Sequence, residues 1–168
     1  RRLKHIQVLN CFQTTRLIHF FEGKMKIFNS MEEFSFPHIQ SIRSLELYNC
    51  PHILDEEIDR FVDIKTIILS ECPKISGKVF SNFQNIQKLK LEKFKFLDDH
   101  FIHLKNARSI ELIQCEGLTC KMLNHLKKVQ FLNINECPGI TTEDKGDSMV
   151  KKYGGSLHYN QGILKLNA

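Results

Sequence analysis

Six cysteines and eight histidines are the side chains of this 168-residue chain with the most chemistry to offer. In a small secreted protein six cysteines would read as a disulfide framework, and Cys/His sets at short spacing as metal sites. Their placement argues for something else. Cys11, Cys50, Cys72, Cys115 and Cys137 return at one phase of an apolar pattern, and Phe94 holds the same place between Cys72 and Cys115. A phenyl ring neither ligates a metal nor forms a bridge, so the property this column shares is burial. Neighbouring strands lie about 4.8 Å apart, whereas a disulfide needs Cβ atoms about 3.8 Å apart and suitably aimed. A ladder of buried thiols is therefore expected, and with it a reducing compartment, cytoplasmic or nuclear. Cys120 falls outside the column, before Met122 and Leu123, and is expected to be a packing residue.

His100 and His103 lie three apart, a spacing that on a helix could share a metal, beside Asp98 and Asp99. The inward set of that segment, read as Phe101, Ile102 and Leu104, turns both histidines toward solvent or a flank. Asp55-Glu56-Glu57 and Asp98-Asp99 each open a helical arc, where unpaired backbone N–H groups favour carboxylates. Ser76, Asp98, Thr119 and Thr141 share the column expected for an N-cap. No Ser-His-Asp order, HExxH, Gly-rich phosphate loop or CxxC pair is present. The expectation is a non-enzymatic chain with no metal, cofactor or small-molecule substrate.

The elements that place these residues follow from one pattern, offsets of three, two and three, that returns about every 22 residues. It picks out Ile42, Leu45, Leu47, Cys50, then Ile64, Ile67, Leu69, Cys72, then Ile86, Leu89, Leu91, Phe94. Ala107, Ile110, Leu112, Cys115 and Val129, Leu132, Ile134, Cys137 follow. Fixed-period self-similarity marks stacked units, none of which can bury a core alone. Further columns read Ile53, Ile75, Leu97, Leu118, Ile140, then Ile58, Phe80, Ile102, Leu123, then Phe61, Phe83, Leu104, Leu126. Alternation at period two that gives way to wider spacing predicts a short strand, a corner and a helical or 3₁₀ arc.

These residues resemble the leucine-rich repeat, whose conserved segment reads LxxLxLxxN or LxxLxLxxC. The Cys-Pro-x-Ile steps at Cys50, Cys72 and Cys137 are similar to the cysteine-containing subclass found in the substrate-binding halves of F-box proteins. That subclass has units of about 26 residues, so the shorter units here predict shorter arcs. The resemblance covers Leu3 to Ile140. It implies an α/β leucine-rich-repeat solenoid, a horseshoe with a parallel concave sheet and short convex arcs. It also implies a protein-binding role, as the substrate-recruiting part of an F-box-type ubiquitin ligase component; the alternative is an assembly or regulatory scaffold, or a pathogen or viral effector, without ubiquitin-ligase linkage.

Unit starts at Leu3, Glu22, Ile42, Ile64, Ile86, Ala107 and Val129 give spacings of 19, 20, 22, 22, 21 and 22 residues, with no large insertion. Residues 1–168 then read as one domain, about seven repeats over 3–150 and a capping segment over 151–168. In that segment Leu157-His158-Tyr159 forms one more strand, and Ile163, Leu164 and Leu166 cover the last layer. The chain opens at Arg1 inside a repeat, which reads as a fragment of a longer protein. No apolar run reaches membrane-spanning length and no signal peptide is evident.

Function is expected on the concave sheet, where residues between the buried leucines point outward and stack in columns. The first column is His5, Lys24, Ser44, Thr66, Lys88, Ser109 and Phe131; the second is Gln7, Lys26, Glu46, Ile68, Lys90, Glu111 and Asn133. Leu9, Phe28, Tyr48, Ser70, Glu92, Ile113 and Asn135 make the third. Glu46, Glu92 and Glu111 interrupt the lysines and the net charge is only +5, which argues against nucleic acid on this face. Aromatic and aliphatic anchors among polar groups fit a protein partner. The expected binding residues are Phe28, Tyr48, Ile68, Ile113 and Phe131, with Glu46, Lys88, Lys90 and Glu111 around them.

Overall fold

The computed structural model describes residues 17–21, 23–29, 42–140, 156–160 and 163–167, the first and the last two of these groups as backbone only. The Leu3 to Cys11 unit, Thr141 and the Glu143–Asp147 stretch lie outside them. The described strands are β1 (Leu17–Phe21), β2 (Lys24–Phe28), β3 (Ser44–Tyr48), β4 (Thr66–Ser70) and β5 (Lys88–Glu92). They continue with β6 (Ser109–Ile113), β7 (Phe131–Asn135), β8 (Ser156–Asn160) and β9 (Ile163–Asn167). Between them lie α1 (Asp55–Ile58) and three 3₁₀ helices, η1 (Gly77–Asn82), η2 (Asp98–Leu104) and η3 (Cys120–His125). The architecture is α/β: β2 to β7 form a six-strand parallel sheet in chain order, and the arcs after β3, β4, β5 and β6 are these short helices.

The sheet register joins the phased positions. Leu45 pairs with Ile67, Ile67 with Leu89, Leu89 with Ile110 and Ile110 with Leu132, and the column from Leu47 to Ile134 does the same. All of these side chains are buried, as are Met25 and Ile27 on β2. A slip of one residue would turn every one of them to solvent, so burial of one face fixes the register. Ile42, Ile64, Ile86, Ala107 and Val129 close the same core from the strand approaches, and Phe61, Phe80, Phe83, Phe101 and Leu123 close it from the arcs.

One unit departs from the expected phase. Leu97 and Ile102 were expected inside, but they are 60% and 55% exposed; Phe96 takes the place of Leu97, and of the expected inward set Phe101 and Leu104 alone are buried. The other corners turn inward at Cys; here Phe94 and Phe96 keep strand-like alternation and stack with ring centres 5.1 Å apart. Phe96 N–H donates to Glu116 O at 3.1 Å and Glu116 N–H to Phe94 O at 2.8 Å, which prolongs strand pairing past β5. The arc consequently starts one residue early: its N-cap is Leu97 and not Asp98.

The two ends of the sheet also differ from a simple continuation. Residues 17–21, where the first arc was expected, form β1, which folds back antiparallel on β2 through Gly23 at φ 76°. A two-residue connection between antiparallel strands needs such a positive φ, which glycine adopts without a Cβ penalty. At the other end β8 contains Leu157-His158-Tyr159, but β9 lies between it and β7, pairing antiparallel with both.

Candidate functional site

Strand alternation brings the nine expected binding residues onto one face. Lys26, Glu46, Ile68, Lys90, Glu111 and Asn133 are successive register partners, as are Phe28, Tyr48, Ser70, Glu92, Ile113 and Asn135. Ile68, Ile113, Glu46, Lys90 and Glu111 are half-buried, Lys88 is exposed, and Phe131 is 37% exposed at the far strand. They form two separate groups. Phe28, Tyr48 and Ile68 are on the successive strands β2, β3 and β4, whereas Ile113 and Phe131 are on β6 and β7, with Lys88, Lys90 and Glu92 of β5 between.

The face is internally cross-linked by polar contacts. Lys26 Nζ is 2.6 Å from Glu46 Oε2, and Tyr48 OH donates to the same oxygen at 3.1 Å. The Phe28 and Tyr48 rings stack with centres 4.7 Å apart and planes 7° from parallel, so the aromatic column follows the strand spacing. Burial, the hydrogen bond to Glu46, and the charges of Glu46 and Glu92 push the Tyr48 phenol up to about 12. Lys90 pairs with Glu111 at 3.3 Å, and Ser70 Oγ donates to Glu92 Oε2 at 3.2 Å. Asn133 Nδ2 reaches Glu111 at 3.5 Å, while the buried Asn133 Oδ1 has no partner among the described residues. These pairs hold the long side chains in place, which lowers the ordering cost of a partner docking on them.

A further column was missed from the sequence. Asn29, Asn49, Glu71, Lys93, Gln114 and Glu136, each directly after a strand, all have φ between 51° and 58°. The N–H groups of the first five donate across to the carbonyl ending the next strand, as in Asn29 to Tyr48 O and Gln114 to Asn135 O, both at 2.9 Å. Their side chains pair too: Asn49 with Asn29 at 2.9 Å, Lys93 with Glu71 at 2.5 Å, Gln114 with Glu136 at 2.6 Å. Only the two asparagines signal left-handed backbone by residue type.

The cysteine column sits beneath this corner. Each thiol donates to the carbonyl two residues back, Cys50 to Tyr48 O and Cys72 to Ser70 O at 3.3 Å, Cys115 to Ile113 O and Cys137 to Asn135 O at 3.4 Å. These carbonyls are the ones that accept from the left-handed residues, so the thiol fills a second lone pair inside the core. None of the five described cysteines is in a disulfide; Cys11 lies outside the described residues. The hydrogen bond between Cys72 and Cys50 and then burial raise the Cys72 thiol, and the hydrogen bond between Cys115 and Cys137 and then burial raise that of Cys115. A thiol held protonated is a poor nucleophile and a poor ligand.

The remaining candidates build the arcs. Asp55 accepts from Ser76 N at 2.7 Å and Ser76 Oγ at 2.5 Å, and Asp98 accepts from Thr119 N and Oγ1 at the same two distances. Each hydroxyl then caps its own arc by accepting from the N–H of Lys78 or Lys121. The carboxylates thus tie one arc to the cap of the next, a link between residues 21 apart that local spacing does not display. His100 Nδ1 accepts from Leu97 N–H at 3.3 Å, its ring stands edge-on to Phe96, and burial holds its pKa below the ordinary value. His103 is exposed. Among the described residues no group of three His, Cys, Asp or Glu side chains is arranged to hold a metal ion, and no helix is long and apolar enough to cross a membrane.

Compared with known proteins, the chain matches no protein-family model and no curated protein.

Proposed function

We propose that this chain is a leucine-rich-repeat solenoid that binds a protein partner on the outward, concave face of its parallel sheet and carries out no catalysis. The observation that carries the reading is the composition of that face. Half-exposed Phe28, Tyr48, Ile68 and Ile113 and exposed Phe131 alternate with the held pairs Lys26–Glu46 and Lys90–Glu111. Apolar anchors set among fixed, complementary charges are how protein interfaces combine affinity with specificity. The in-register strands and the buried thiol corners support the solenoid reading, and the unbridged thiols support a reducing compartment. The Cys-Pro-x-Ile corners support the likeness to F-box-type recruiting domains, so the partner would be a protein to be recruited. The test is affinity capture of a partner by the wild type and by Phe28→Ala, Tyr48→Ala and Phe131→Ala. Folded variants should lose about 2 kcal/mol or more at a hot-spot anchor, and unaltered capture by all three would defeat the proposal.

A further inference from the structure

Ion pairs on the sheet are unevenly placed. Those of Lys26, Lys90 and Lys93 lie on the outward face or at the corner after each strand. The opposite rim, where the strands begin, carries exposed Lys88, Lys105, Arg108, Lys127 and Lys128, and none of the five pairs with a carboxylate among the described residues. The sequence explains this. No Asp or Glu occurs in residues 79–91, 100–110 or 117–135, the segments that lead into β5, β6 and β7. The Lys128 amine donates instead to the neutral Asn106 Oδ1 at 3.0 Å.

The rim is also rigid. Each carbonyl one residue before a strand accepts two N–H groups from the next unit, Lys65 O from Gln87 and Lys88, Gln87 O from Arg108 and Ser109, Arg108 O from Gln130 and Phe131, all at 2.8–3.0 Å. The cations are thereby carried on neighbouring units of one edge, with neutral side chains in register between them: Lys88 pairs with Thr66 and Ser109, and Arg108 stands between Gln87 and Gln130. Like charge gathered on one edge with no carboxylate partner among the described residues is repulsive and gains from an anionic counterpart. Phe131, at the first residue of β7, stands where this rim meets the outward face.

We infer that the rim at the starts of β5, β6 and β7 docks an acidic segment of the protein partner, with Phe131 receiving an apolar residue beside the carboxylates. This rests on the protein-binding reading above and names the partner's chemistry. A nucleic-acid strand would need ring faces to stack successive bases, and Phe131 is the one exposed phenyl ring among the described residues. Carboxylates need only the cations and the neighbouring amides of Gln87, Asn106 and Gln130.

The experiment uses a labelled glutamate dodecapeptide and a thymidine dodecanucleotide, followed by fluorescence anisotropy at low salt and at about 0.3 M salt. Wild type is compared with the triple change Lys105→Glu, Arg108→Glu, Lys127→Glu, and with a far-side control, Lys74→Glu, Lys78→Glu, Lys95→Glu; all six sites are exposed. The rim variant should bind the peptide at least tenfold more weakly and the control within about twofold of wild type, with salt weakening the wild type most. Tighter binding of the oligonucleotide than of the peptide would assign the rim to nucleic acid and overturn the proposal. So would absent peptide binding, or an equal loss in both variants, which would reduce the effect to net charge. The peptide result stands apart from the anchor test: capture that depends on Tyr48 with no peptide binding removes the rim alone, whereas peptide binding with capture indifferent to the anchors removes the face.

Discussion

Tyr48 shows how much one side chain can carry when burial, a hydrogen bond and charge act together. Its hydroxyl donates to a carboxylate already paired with Lys26, and its ring lies flat on Phe28. All three effects favour the neutral phenol, so the folded-state pKa, about 12, stands above the unfolded value near 10. Stabilisation from this group is complete below about pH 10 and is lost as pH rises through about 12. Phenolate absorbance should therefore contain a late-ionising step that Tyr48→Phe removes and Glu46→Gln moves down; a wild-type titration finished near pH 10 would contradict the network. The sequence placed Tyr48 outward because strand alternation alone does that. It did not reveal the Glu46 contact, because two residues apart on one face says nothing of side-chain rotation. The thiol column was legible for the opposite reason: Phe94 in a cysteine's place made burial the only common property.

At the scale of the element, packing between arcs decides what the local pattern leaves open. A Cβ built on Gly77 would lie 1.9 Å from His100 Nδ1 and 2.8 Å from His100 Cβ, so η1 approaches η2 through the missing side chain. Gly77→Ala should cost about 1–3 kcal/mol by overpacking, and adding His100→Gly should recover part of it. Chemical denaturation of the single and double variants measures this; a double variant no more stable than Gly77→Ala alone would show that the strain lies elsewhere. Strands were legible because a half-buried strand writes period two into the chain. The arc after β5 was misread by one residue because its register depends on pairing of Phe94 and Phe96 with the next unit, at Glu116, beyond any local window. Strand β1 was missed because the apolar run Leu17–Phe21 suits an arc or a strand, and the hairpin at Gly23 decides between them.

For the whole molecule, a single shared core means that a local loss travels. Leu89 is fully buried between Ile67 and Ile110, so Leu89→Ala should cost about 2–5 kcal/mol. Lys90→Ala, half-exposed one residue on, should stay within about 0.5–1 kcal/mol. Hydrogen exchange should show the Leu89→Ala loss in β4 and β6 as well as β5; protection lost in β5 alone would mean uncoupled units. The order and register of the parallel strands were legible from the phase of the apolar columns, whereas the antiparallel strands at both ends break that phase and left no periodic trace. The charge segregation of the rim was legible in the acid-free segments before β5, β6 and β7, yet it acquires meaning only once those segments share an edge. On the proposed reading the outward face, not the arcs, recruits a protein. Quantitative capture from nuclease-treated lysate compares wild type, a face set of Tyr48→Ala and Phe131→Ala, and an arc set of Leu97→Ala and Ile102→Ala, whose exposed side chains lie outside the core. Bound proteins should survive nuclease, fall at least tenfold with the face set and hold with the arc set; capture lost to nuclease, or lost with the arc set while the face set binds normally, would show that the outward face is not the recruiting surface.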